Sequence, residues 1–273
     1  GYAAVIDPRR DSGVYLDIAY RNGAQIQYIF ETHRNEDYVI GSQELARMTG
    51  AEIYHGKELP FAYGRTTEEG DIFKFGQGQL KILKTPGHTF ESISLVLYDI
   101  GSGDTPLGVF TGDALFIGDV GRTDFFPDRL EETAGLLYES IFNKLLPLGD
   151  QVILYPAHGA GSVCGAGMAD RDFSTIGFER HNNQALQFES KQEFIRAKTT
   201  EIHTKPPYFA KMEEYNLNGA PPVEPIYPPK PFHADQFEQA MQEGMFAVDT
   251  RSPEAFAGAY IPGSVAIPLE MLS

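Results

Sequence analysis

Apolar positions along the first 160 residues fall into short runs separated by Gly, Pro and Asp, and the period changes from run to run. Residues 3–7 are an apolar run ended by Pro8, which predicts a buried strand. Residues 12–21 carry Val14 and Ile18 at helical spacing, with Gly23 where a helix would stop. Residues 25–30, rich in Ile, Tyr and Phe, predict a strand, and 31–38 a polar turn. A helix is expected over 40–48, closed by Gly50. Strand-like stretches follow at 52–54, 72–75, 80–84, 92–98, 107–111 and 151–155. Helical patterns occupy 130–145, 173–184 and 191–198. Strands in runs with helices between them predict an α+β or layered α/β fold, and no internal repeat is evident.

The clearest boundary is 219–231, GAPPVEPIYPPKP, whose six prolines favour an extended, semi-rigid spacer. The expected organisation is a main domain at 1–218, a Pro-rich linker at 219–231 and a second module at 232–273. The chain opens on a strand already in progress, with no initiator Met, and closes just after an apolar stretch. It is therefore expected to be a fragment of a longer protein.

Charge narrows the partners. With 22 basic and 38 acidic residues the formal net charge is −16, which repels a phosphate backbone and argues against nucleic-acid binding. No apolar run is long enough for a membrane span, and no signal peptide is evident. The single cysteine, Cys164, can form neither an internal disulfide nor a Cys-rich zinc site, which suits a reducing, cytoplasmic location.

Four polar residues each follow a predicted strand: His33 in ETHRNEDY, His88 in TPGHTFES, Asp113 in FTGDALF and His158 in YPAHGAG. In layered α/β folds the loops at one end of the strands converge on a shared site. Two histidines and one aspartate can hold a divalent transition metal on one face and leave the other open, an arrangement suited to non-haem Fe(II) and O2.

These four motifs, in this order over residues 1–170, resemble those of the metallo-β-lactamase superfamily. The resemblance implies its four-layer αββα sandwich. The family's first motif is usually His-x-His-x-Asp-His; here it reads His33-Arg34-Asn35-Glu36-Asp37-Tyr38. Asn35 and Tyr38 stand where binuclear zinc members have histidines, which argues against a two-metal hydrolytic clamp. His33, His88 and Asp113 match the iron ligands of the persulfide dioxygenase branch. The resemblance thus implies one Fe(II) per chain, with zinc as the alternative occupant in purified material.

ALFIGDVGRTDF after Asp113 is similar to a segment of that branch in which an arginine contacts substrate, here Arg122. Its bland alternative is a structural ion pair in an Asp-rich loop. His158 and Asp37 match ligands of the second metal and are expected to orient water, substrate or the metal ligands, with Asn35 and Tyr38 lining the pocket. Cys164, in a glycine-rich stretch six residues after His158, is weighed as a buried small hydrophobe or as an acceptor of sulfane sulfur. Residues 246–270 resemble the opening of a rhodanese domain. No cysteine follows Cys164, so this module is not expected to transfer sulfur itself.

The resemblance implies oxidation of a low-molecular-weight thiol persulfide by O2 to sulfite and thiol, by an enzyme that forms homo-oligomers. Two rivals stand beside it: a metal-dependent thioester-type hydrolase similar to glyoxalase II, and a catalytically inactive sulfur-sensing or scaffold protein.

Overall fold

A computed structural model describes residues 1–165, 167–223 and 229–271. The chain divides into two compact units, Gly1–Val223 and Glu224–Ser273. Of the Pro-rich stretch, residues 224–228 lie outside the described part.

The first unit begins β1 (Tyr2–Ile6), α1 (Gly13–Arg21), β2 (Gln25–Phe30), α2 (Ser42–Thr49), β3 (Glu52–His55) and β4 (Arg65–Thr66). These four strands form one parallel sheet in the order β1-β2-β3-β4. β5 (Ile72–Phe75), β6 (Gly78–Lys84), β7 (Ile93–Asp99), β8 (Gly108–Gly112), α3 (Leu130–Glu139), β9 (Ile153–Pro156) and β10 (Ser174–Thr175) follow. Their strands form a six-stranded mixed sheet, β10-β9-β8-β7-β6-β5, in which only the β8–β9 pair is parallel. The unit closes with α4 (Ile176–Asn182), α5 (Lys191–Thr200) and α6 (Phe209–Asn218).

The packing is the four-layer sandwich of two sheets between helices. Ala19 of α1 and Leu45 of α2 pack with Ile26, Ile29 and Ile53 on the outer face of the first sheet. Phe30, Leu80, Ile82, Ile93 and Leu95 fill the space between the sheets. Val96, Val109, Leu137, Ile141, Leu154 and Phe194 join the second sheet to α3 and α5. A bulge organises β2: Ala3 pairs with Ile26 but Ala4 with Tyr28, skipping Gln27. The extra residue inverts the side-chain alternation. Ile26 and Ile29, three apart, therefore face the outer helices, while Tyr28 and Phe30 face the inter-sheet core.

Several sequence expectations shift. The helix expected over 130–145 ends its α-helical part at Glu139 and continues as a π-helical turn, Ser140–Leu145. Ser174 and Thr175, expected as helix, pair with Leu154 and Ile153 as β10, and the Thr175 hydroxyl then caps α4 by accepting from Phe178 N. β4 and α6 were not anticipated; a strand of two residues carries no periodicity to read.

The second unit contains α7 (Ala234–Gln242), β11 (Val248–Asp249), α8 (Pro253–Gly258) and β12 (Val265–Ala266), with β11 and β12 paired in parallel. Arg251 forks onto Asp249 and donates to Ala259 O. Among the described residues no helix is long and apolar enough to cross a membrane.

Candidate metal centre

The loops after β2, β6, β8 and β9 bring His33, His88, Asp113 and His158 together. The local sequence makes the turns possible. Gly87 adopts φ +145, and a Cβ there would lie 2.4 Å from the Leu137 backbone, so α3 packs directly against the His88 turn. Gly112, at φ +54, turns the chain so that Asp113 points inward.

Each histidine is held by its Nδ1. Thr32 Oγ1 donates to Asp7 Oδ2 at 2.7 Å, so it accepts from His33 Nδ1 at 2.9 Å. His88 Nδ1 donates to the Arg122 carbonyl at 2.9 Å. With Nδ1 carrying the hydrogen, the neutral ring presents its Nε2 lone pair inward. Asp113 is divided similarly: Oδ1 accepts from His158 Nδ1 at 2.7 Å, and Oδ2 lies 3.8 Å from His33 Nε2 and 3.4 Å from His88 Nε2. His33 Nε2, His88 Nε2 and Asp113 Oδ2 are buried without hydrogen-bond partners. Such groups are costly unless a ligand satisfies them. Their chemistry, two imidazoles and a carboxylate aimed at one point, fits a divalent transition metal.

Glu36 was not anticipated. Fully buried, it lies with Oε1 2.9 Å from His88 Nε2, without the alignment of a hydrogen bond. One donor atom from each of His33, Glu36, His88 and Asp113 lies within 4.8 Å of the other three. The only sequence signal was an acidic residue inside the first motif. Asp7 and Thr32 were missed as well, because nothing in their spacing reveals the pairing with His33.

The electrostatics follow the burial. Desolvation pulls the His33 pKa down to about 3. Burial also acts downward on His88, but the carboxylates of Glu36 and Asp113 outweigh it and hold that ring at about 9. His158 Nε2 is 2.7 Å from Asp37 Oδ2 and its Nδ1 faces Asp113. Burial opposes its charge, yet the two carboxylates raise its pKa to about 11.

The remaining expected residues are placed as follows. Asn35 is buried and its Nδ2 donates to the His33 carbonyl. The Tyr38 hydroxyl donates to the Asp7 carbonyl at 3.4 Å, and its ring meets the His158 ring edge-on at 6.5 Å. Arg122 is 1% exposed. Its Nε and Nη2 fork onto Asp124 at 2.7 Å each, and Nη1 donates to the carbonyls of Val163 and Thr204. Most of its donors are thus committed within the protein, and its carbonyl serves His88. Cys164 is buried, with Sγ 3.8 Å from Glu36 Oε1. Burial, reinforced by Asp113, Glu36 and Asp37, pushes its thiol pKa up, which disfavours the thiolate needed for sulfur transfer. Asp37, His158 and Cys164 themselves form a second group of possible donors within 4.8 Å.

The four donors of the first group are at most 1% exposed. A cavity of about 700 Å³ lies along β1, α1 and the ends of β8 and β9 and is lined by none of them. A smaller one of about 280 Å³ reaches His158, between Pro156, Met168 and Arg171.

A model of the metallo-β-lactamase superfamily matches residues 1–158. The hydroxyacylglutathione hydrolase GloC of Haemophilus influenzae is 30% identical over 210 residues, 69% of this chain and 89% of that protein. The mitochondrial persulfide dioxygenase ETHE1 of Homo sapiens is 31% identical over 200 residues, 71% of this chain and 70% of that protein. Among solved structures, a metallo-β-lactamase from Staphylococcus aureus is 31% identical and superposes with a TM-score of 0.82 over 97% of this chain and 76% of that one. Hydrolase and dioxygenase relatives stand at the same distance, so identity alone does not choose between them.

Proposed function

The chain belongs to the metallo-β-lactamase superfamily, and from that membership we propose that it is a persulfide dioxygenase working at one Fe(II). The reaction is R–S–SH + O2 + H2O to R–SH, sulfite and two protons, with a low-molecular-weight thiol as R–SH. The observation that carries the reading is the trio of unpartnered atoms, His33 Nε2, His88 Nε2 and Asp113 Oδ2, around one point.

These three residues would hold the metal. Fe(II) there would supply a redox-active Lewis acid able to bring the persulfide and O2 together. The protein's contribution is orientation and exclusion. Thr32 and the Arg122 carbonyl fix both imidazoles in the tautomer that leaves Nε2 free. His158 holds Asp113 by one oxygen so that the other faces inward. Burial of the whole set keeps bulk water from the reacting sulfur. The second unit, with its Asp249–Arg251 pair and parallel β11–β12, is read as the start of a rhodanese-like module.

A second reading, a thioester hydrolase acting with two metals, is favoured by the donor group Asp37, His158 and Cys164. One experiment separates the two. Iron-reconstituted protein is given glutathione persulfide while O2 uptake and sulfite are followed, and metal is counted per chain. The proposal expects matched uptake and sulfite at one metal per chain, both lost in His88→Ala. Hydrolysis of a hydroxyacylglutathione at two metals per chain, without O2 uptake, would replace it with the hydrolase.

A further inference from the structure

Resting on the reading of His33, His88 and Asp113 as metal ligands, we infer that Glu36 is a fourth protein ligand of the same ion, steered by the Cys164 thiol. The centre is then a two-histidine, two-carboxylate site rather than a three-residue face.

Glu36 sits three residues after His33 and is fully buried. Its Oε2 has no hydrogen-bond partner, and among the described residues its one ion-pair partner is the His88 ring, 2.9 Å from Oε1, itself a candidate ligand. The Cys164 S–H donates to Oε1 across 3.8 Å, a weak bond that orients the carboxylate without neutralising it. A buried carboxylate left in that state is expensive, and a dication is the charge that resolves it.

The spacing agrees. Donors about 2.1 Å from a common ion stand about 3.0 Å apart when adjacent in an octahedron and about 3.4 Å apart in a tetrahedron. Glu36 Oε1 is 2.9 Å from His88 Nε2, which is 3.4 Å from Asp113 Oδ2, itself 3.8 Å from His33 Nε2. Glu36 Oε1 therefore lies as close to His88 as the other members lie to one another, and within 4.8 Å of all three. Two carboxylates balance the charge of a dication.

The test is a Co(II) titration of the metal-free 273-residue protein, read by chelator competition and by the visible ligand-field bands. Glu36→Gln is expected to weaken Co(II) binding on the order of tenfold or more and to change the bands. Cys164→Ser keeps a donor to Oε1 and is expected to hold affinity within about threefold; a loss as large as that of Glu36→Gln would make the thiol a ligand and overturn its steering role. Where Glu36→Gln does not accumulate folded, Glu36→Asp keeps the charge, shortens the arm and is read by the same two signals. Parent affinity and parent bands in the Glu36 variant, with Co(II) lost in His88→Ala, would remove Glu36 from the set and leave the three-residue reading intact. Parent affinity in His88→Ala as well would remove the metal centre itself.

Discussion

Asp113 gives one carboxylate oxygen to His158 and keeps the other free: Oδ1 is 2.7 Å from His158 Nδ1, while Oδ2 has no hydrogen-bond partner and faces His33 and His88. In the proposed reading His158 is thereby the clamp that aims Asp113 Oδ2 at the metal.

That clamp has a pH signature in the metal-free protein. An unfolded imidazole titrates at about 6.5, and the folded His158 is held at about 11 by its two carboxylates against the opposing effect of burial. The folded state binds more protons across that interval, so the stabilisation is complete below the lower value and is lost as pH rises through the upper. His158→Ala is expected to cost about 3–5 kcal/mol near neutral pH. Denaturant melts of parent and variant should converge as the pH is raised toward about 11.

Thr32→Val removes the hydroxyl between Asp7 and His33 while keeping the shape of the side chain. Losing such a support typically costs 10–100-fold in metal affinity, so a loss of about that size is expected. The far-ultraviolet circular dichroism should stay that of the parent. Chelator competition provides the measurement, and unchanged affinity would show that packing alone orients His33.

Gly112→Ala attacks the same support from the other sheet. The new Cβ would lie 2.7 Å from Thr32 Oγ1, at a backbone φ of +54. Crowding of about 1–3 kcal/mol and a backbone penalty of about 1 kcal/mol are expected. Thermal melts should show the lower stability, and titration a weakened metal site.

Arg122→Lys separates a substrate contact from a structural fork. Lysine cannot reproduce the paired bonds to Asp124 together with those to Val163 and Thr204. A stability loss of about 2–4 kcal/mol is expected, seen in urea melts of the metal-free protein. An unchanged melt with a raised KM for persulfide would instead restore the substrate role read from the sequence.

Much of this protein was legible in its sequence because the information was local. Apolar runs marked most strands, Gly and Pro marked the turns, and the candidate residues after β2, β6, β8 and β9 stood out as polar groups directly following apolar runs. Family motifs alone connect His33, His88, Asp113 and His158. What only the tertiary structure decided depends on approach between distant segments. Asp7 reaches Thr32, and through it His33, across 25 residues, and Cys164 reaches Glu36 across 128. Arg122 spends its side chain on Asp124, Val163 and Thr204, and lends only its carbonyl to His88. Strand and helix periods arise from neighbours along the chain, but hydrogen-bond partners and shared burial arise from neighbours in space, where loop residues carry no period to read.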